Sequence, residues 1–399
     1  MAVSSRRKLL LFSTQYPPNV TGGAELIVQT LAEELAGRGL DVVVVSLSMQ
    51  DRDSIDYVNG LQVYRVSIEN IYPFGVPRPG FVQRAIWHCK DVNNLAMARK
   101  VEKILDDERP DWVSTHNLSG FSVSVWGAIK RRNIGLSHTL HDLYLLCPNT
   151  IMYKNGRRCE SQCAVCSMLS SSKKRASRGI DVVIGVSRFV LDRHLQSGYF
   201  CSAAPVVIYN GRPWREPQLS HVVTRSKRLR LGFMGRLHAS KGPETLLRAV
   251  AGLPEGTWEL RIAGREQYPG YVKLLQQRYP LPNVHYLGWV DPEEFYPSVD
   301  VLIVPSESPE GLPNVAVEAL GFGLRVVAAD VGGLPELLSG CDAGVLYRVG
   351  DADDLRRKLD ALVNSPPAGE EVRQAALMRR AYFTPGRMAD EFLAAIHLS

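Results

Sequence analysis

Short apolar runs recur along the chain, each bounded by Gly, Pro or polar residues and separated by stretches of helical period. Lys8–Ser13 (KLLLFS) and Asp41–Leu47 (DVVVVSL) read as buried strands, with an amphipathic helix from Ala24 to about Arg38 between them, stopped by Gly39. Strand, glycine-bearing loop, helix, strand is a βαβ opening. Further strands are expected over Asp111–Ser114, Ser137–Leu140, Asp181–Val186 and Val206–Tyr209, with a helix over 84–108 and another running to about Arg132. Residues 51–83 show no period and read as irregular, with a loop at Tyr72–Pro77. Around Gly211–Ser226 a Pro-, Arg- and Ser-rich composition replaces the pattern, which places an interdomain linker at 212–226. The alternation then restarts with strands at Arg228–Met234, Glu259–Ala263, Val284–Leu287, Val301–Val304 and Val326–Ala329, a helix at Pro243–Ala251, and terminal helices over 351–363 and 370–399. Two such halves predict an α/β protein with two doubly wound parallel-sheet domains, residues 1–211 and 227–384, followed by a last helix at 385–399.

Composition adds little to this picture, and charge adds more. With 399 residues, 45% hydrophobic and 22% charged, the chain can build two ordinary globular cores. Its apolar runs fall short of the ~18 residues of a membrane span. The start, Ser4 to Phe12, has the basic then apolar order of a signal peptide, but the apolar part is too short, and a cytoplasmic protein is expected. Residues 1–200 carry 25 basic and 18 acidic side chains, whereas 201–399 carry 22 and 23. A basic first half, densest around Lys173-Lys174-Arg175, suits a pyrophosphate-linked acceptor or peripheral contact with the anionic inner membrane surface, and equally suits a solvated helix face. With no aromatic-interleaved basic patch, nucleic acid is not an expected partner.

Polar residues gather at the ends of the expected strands, where open parallel sheets bind ligands. Gly22-Gly23 open the first helix, and His116 and His141-Asp142 follow two strands of the first half. In the second half, Gly235-Arg236 and Lys241 follow one strand, and Gly288-Trp289 another. Paired cations on such a loop can neutralise a diphosphate. The stretch Pro305–Leu338 holds two carboxylates, Glu310 and Glu318, flanking a helix expected from Pro313 to about Phe322. Backbone N–H groups of Gly311, Leu312 and Asn314 at that helix start offer an anion site. Among seven cysteines, Cys147, Cys159, Cys163 and Cys166 follow the pattern C-x11-C-x3-C-x2-C, which suits a structural zinc in a reduced compartment and also suits ordinary loop thiols.

Gly22-Gly23, Arg236…Lys241 and Glu310…Glu318, at these positions, resemble the retaining glycosyltransferases of family 4, with the GT-B fold. The resemblance implies two Rossmann-like domains facing across a cleft, the second holding a nucleoside diphosphate sugar, and a last helix crossing back to the first domain. It implies transfer of a hexosyl unit to a hydroxyl of a saccharide or lipid-linked acceptor, with retention at the anomeric carbon and no cofactor required for catalysis. By the same resemblance His141 contacts the donor sugar, Arg236 and Lys241 hold the diphosphate, and Gly22-Gly23 lie opposite it. Trp289 is matched to the base, Glu318 to the ribose and Glu310 to the transferred sugar. His116 matches a weaker His-x-His site that has Ser114 at its first position, and the four cysteines are not part of the family pattern. Two other readings stay open on sequence: another GT-B enzyme (a sugar-nucleotide epimerase or a phosphorylase-like enzyme) and a non-catalytic sugar-nucleotide-binding protein.

Overall fold

Runs such as DVVVVSL and VLIV are apolar on both strand faces, which only a sheet covered on both sides accommodates. The computed structural model describes residues 6–20, 22–72, 80–154, 156–213, 228–365 and 369–398. Most of the expected linker, residues 214–226, and most of the loop at Tyr72–Pro77 lie outside the described residues. The chain divides into two units: residues 1–152, 160–213 and 384–399 form the first, and residues 153–159 and 214–383 the second. Among the described residues no helix is long and apolar enough to cross a membrane.

The first unit is built on an eight-stranded sheet. Its strands are β1 (Lys8–Ser13), β2 (Asp41–Leu47), β3 (Ser54–Val58), β4 (Leu61–Val66), β5 (Trp112–Thr115) and β6 (Gly135–Leu140), joined by two later ones. A small hairpin, β7 (Tyr153–Lys154) with β8 (Arg157–Arg158), precedes those two, β9 (Val182–Gly185) and β10 (Ala204–Val207). The order is β10-β9-β6-β5-β1-β2-β4-β3, and every pairing is parallel except β3 with β4. The hairpin β7–β8 belongs to the second unit, although the pattern had assigned it to the first domain. Residues 51–83 are not irregular throughout, because β3 and β4 pair across Asn59-Gly60. Both turn residues have positive φ (49° and 82°), the signature of a tight two-residue hairpin. The single helix expected over 84–108 is two, Phe81–Val92 and Leu95–Glu108, and the second starts where the Asn94 side chain accepts from the Met97 N–H (3.2 Å). The final helix, Pro385–Ala395, packs on helix Gly23–Gly37, burying Met388, Ala389 and Phe392 with Ile27, Val28 and Leu31 in one apolar cluster.

The second unit is a six-stranded, wholly parallel sheet. It comprises β11 (Leu229–Met234), β12 (Trp258–Ala263), β13 (Val284–Gly288), β14 (Val301–Val304), β15 (Arg325–Ala329) and β16 (Gly344–Tyr347). Its order, β13-β12-β11-β14-β15-β16, runs outward in both directions from β11 and β14. That reversal is the topological switch point, where connections leave to opposite faces and open a crevice at the carboxyl ends.

Candidate functional site

β11 and β14 deliver two loops to the switch point of the second unit. The first, Gly235 to Gly242, contains a short helical turn at Ala239–Lys241, capped by the His238 ring nitrogen accepting from the Ser240 N–H at 3.2 Å. The second runs from Pro305 to Pro313 and leads into helix Asn314–Gly321. They are sewn together through the Ser240 carbonyl, which accepts from the N–H groups of Glu307 (2.9 Å) and Ser308 (3.1 Å). Gly242 sits at φ +70°, and a Cβ there would lie 1.8 Å from the Pro305 carbonyl oxygen, so the loops approach more closely than any other residue allows. The outcome is a direct ion pair between Lys241 Nζ and Glu310 Oε2, with Ser306 Oγ donating to the other Glu310 oxygen. On the far side of Glu310 its carbonyl accepts from the Gly333 N–H (2.9 Å), so the Gly332-Gly333 turn after β15 braces it.

The remaining second-unit residues take up distinct places. Arg236 is exposed on the same loop as Lys241. Pro313 is the N-cap rather than the first helical residue, Asn314 begins the helix, Gly311 and Leu312 are buried, and Gly323 (φ +77°) follows its end. Glu318 accepts from the Tyr296 hydroxyl at 2.8 Å, and that hydroxyl also reaches the Val315 carbonyl at 3.2 Å. Trp289, at the end of β13, is not a buried aromatic, since it is 65% exposed. Ser306, Tyr296 and Glu307 were not singled out in the sequence. Glu307 accepts from Thr245 Oγ1 (2.6 Å) and from the Tyr153 hydroxyl of the β7–β8 hairpin (2.9 Å).

In the first unit the order reverses between β1 and β5, and here too the carboxyl ends carry polar groups. His116, after β5, and His141, after β6, bring Nδ1 and Nε2 to 3.0 Å. Burial pushes the His141 imidazole down to about 4 and His116 well below the ordinary histidine range, so the pair is neutral at pH 7. Among the described residues His116 Nε2 has no hydrogen-bond partner, and neither has Ser114 Oγ on β5. Asp142 accepts from the Tyr144 N–H (2.8 Å) and is pushed up to about 6 by burial. Gly22 caps helix Gly23–Gly37, and its N–H already donates to the buried Glu25 carboxylate at 3.0 Å. Only the backbone of this loop, not that amide, is left to approach a ligand.

Two expectations about the Cys-rich segment change. Cys147 and Cys166 bring their sulfurs to 3.8 Å, with Cys163 at the start of helix Ala164–Ala176, but among the described residues no group of three or more His, Cys, Asp or Glu is placed to hold a metal ion. Cys159 belongs to the second unit with the hairpin. Lys173, read as part of a solvated or anion-attracting basic face, is buried, with only 3% of its surface exposed.

Comparison with known proteins covers most of the chain. A family described as Glycosyltransferase Family 4 matches residues 21–213, and one described as Glycosyl transferases group 1 matches 228–365. An uncharacterised 42.6 kDa protein in the cps region of Klebsiella pneumoniae is 33% identical over 333 residues, 82% of this chain and 87% of that one. The fold is similar to that of sucrose-phosphate synthase from Thermosynechococcus elongatus, at 20% identity over 98% of each chain with a TM-score of 0.77. It is also similar to Anabaena HepE in complex with UDP-glucose, at 20% identity over 98% and 99% with a TM-score of 0.67.

Proposed function

Because the chain belongs to the group 1, family 4 glycosyltransferases and has the GT-B fold, we propose that it is a retaining hexosyltransferase of cell-surface polysaccharide or glycolipid synthesis. The donor is a nucleoside diphosphate hexose, and the acceptor is a hydroxyl of a saccharide or lipid-linked saccharide, met at the cytoplasmic face of the membrane. The observation that carries this reading is the Lys241–Glu310–Ser306 cluster at the β11/β14 switch point. Support comes also from the UDP-glucose bound by Anabaena HepE and from the cps-region relative of Klebsiella.

The chemistry follows from charge. As the bond from the anomeric carbon to the diphosphate breaks, positive charge grows on the sugar and negative charge on the departing phosphate. Lys241, Arg236 and the N–H groups at the start of helix Asn314–Gly321 stabilise the leaving group. Donor binding exchanges the Lys241–Glu310 contact for contacts with phosphate and with sugar hydroxyls, and leaves Glu310 beside the cationic centre. Glu318, oriented by Tyr296, accepts from the ribose hydroxyls. His141 is assigned on the family resemblance to the transferred sugar. For retention the acceptor oxygen bonds to the face the diphosphate leaves, and its proton passes to the departing phosphate oxygen. The test is a screen of nucleotide sugars for protein-dependent release of nucleoside diphosphate, followed by NMR of the product. An α-linked product from an α-configured donor supports retention, whereas an inverted product or a rearranged donor without a new glycosidic bond overturns the proposal.

A further inference from the structure

We propose that Lys173 is a positioning residue for the His116–His141 pair, acting through a buried Lys173–Tyr144–Asp91 cluster; the inference rests on the reading of His141 as a sugar-binding residue. Lysine is rarely buried without a partner, because its ammonium loses hydration. Lys173, on the last turn of helix Ala164–Ala176, is nonetheless buried. Its Nζ donates to the Tyr144 carbonyl (3.3 Å) and lies 3.5 Å from the centre of the Tyr144 ring, a cation–π contact. The Tyr144 hydroxyl donates to Asp91, which is 1% exposed and whose other oxygen accepts from the Gly120 N–H at 2.7 Å. Tyr144 N–H is the group that holds Asp142.

The cluster therefore touches both loops at the switch point. Gly120 lies four residues beyond His116 in the loop after β5, and Tyr144 three beyond His141 in the loop after β6. Asp91 supplies an anchor from helix Phe81–Val92, and Lys173 supplies one from helix Ala164–Ala176. The titratable groups facing the ammonium are the Asp91 and Asp142 carboxyls and the Cys147 and Cys166 thiols, with His88 on the Asp91 helix also sensing it. Neutral bonds also fasten the second loop: Leu143 N–H donates to the Thr150 carbonyl (2.9 Å), Gln162 to the Leu146 carbonyl (2.7 Å) and Tyr199 to the Leu145 carbonyl (3.1 Å). Lys173 is thus the group whose charge compensates two buried carboxylates while it clamps Tyr144. Without it the two loops lose the buried anchor they share, and the 3.0 Å contact between His116 and His141 is left to each loop's own backbone bonds.

The test is an NMR titration of the histidine rings in the full chain, comparing wild type with Lys173→Met and with Lys173→Met/Asp91→Asn. The double variant removes the carboxylate that the single one would strand. Between pH 7 and 5.5 burial holds the wild-type His141, His138 and His194 rings neutral, and the last two, elsewhere in the unit, serve as internal references. In the double variant the His141 ring should begin to protonate within that window, its midpoint climbing by at least about one pH unit toward the ordinary ~6.5 as water reaches a loosened loop, with the references still neutral. UDP affinity should stay within about twofold, since the second unit is untouched. An unchanged His141 midpoint, or all the buried rings shifting together, overturns the positioning role. His141→Ala, assayed for transfer from UDP-glucose, separately decides whether His141 serves the sugar at all, so the two claims fail independently.

Discussion

Gly242→Ala tests whether the close approach of the two second-unit loops builds the site. Gly242 has φ +70°, and so does not differ in backbone class from Gly256 at +76°, where a Cβ meets nothing within 4 Å. At Gly256 alanine therefore costs only the left-handed strain, about 1–2 kcal/mol. At Gly242 the same strain is joined by a Cβ placed 1.8 Å from the Pro305 oxygen, where contacts below 3.0 Å do not persist, so the loops must part by at least 1.2 Å. The displaced atoms are backbone, directly next to Lys241 and at the base of the loop that carries Ser306 and Glu310. A misplacement of about 1 Å in positioning groups can cost on the order of a hundredfold in rate. We expect Gly256→Ala to lower the melting temperature by a few degrees with turnover near wild type. Gly242→Ala should melt lower still and release nucleoside diphosphate roughly a hundredfold more slowly from the nucleotide sugar that the donor screen identifies. Equal melting temperatures and equal turnover for the two variants would refute the claim that loop apposition forms the site.

Tyr296→Phe deletes the hydroxyl bonded to Glu318 and Val315, and calorimetric titration with the nucleoside diphosphate of the screened donor should show affinity lost by the ~1.5–3 kcal/mol typical of a hydrogen bond to a charged group. Thr245→Val strips Glu307 of one of two partners, and a lower melting temperature in the second unit is expected, with the Tyr153 contact preserved. Acid stability is governed by the first unit. His88, His138, His141 and His194 fall to about 3–4 and His116 lower still, so folding excludes protons that the unfolded rings bind below ~6.5, and their contribution is lost as pH falls. Asp91 and Asp142, raised to about 6, work the other way between about 4 and 6. Five rings against two carboxylates leave a net loss of roughly 4 kcal/mol per pH unit near pH 5, measurable as a steep acid limb in denaturant midpoints. A flat midpoint from pH 7 to 4.5 would contradict it.

The sheets were legible because strands buried on both faces are unbroken apolar runs, and a polar residue at the end of such a run falls at the carboxyl edge whatever the order of the strands. Hence Lys241, Glu310, His116 and His141 could be singled out from local sequence. Partnerships across the chain could not. Tyr296 meets Glu318 and Glu307 meets Tyr153 only once the fold sets their register. Lys173 was misjudged because a basic run ordinarily faces water, and its burial depends on Asp91, far away in sequence. The β3–β4 hairpin was missed although Asn59-Gly60 between alternating residues announces it. At the cysteines a short interval between thiols does not by itself fix where the intervening loop carries them.

The most direct measurement is affinity for the nucleoside diphosphate of the screened donor and sugar-transfer turnover, side by side, for Glu310→Gln. The substitution keeps the size of the side chain and a hydrogen-bond acceptor for Ser306 but removes the charge that faces Lys241 and the reacting sugar. We expect that nucleoside diphosphate to bind within about threefold of wild type while turnover falls on the order of a thousandfold, as for a group whose main contribution is to the transition state. Turnover within a few fold of wild type would mean that the carboxylate at the β11/β14 switch point is not where the sugar reacts.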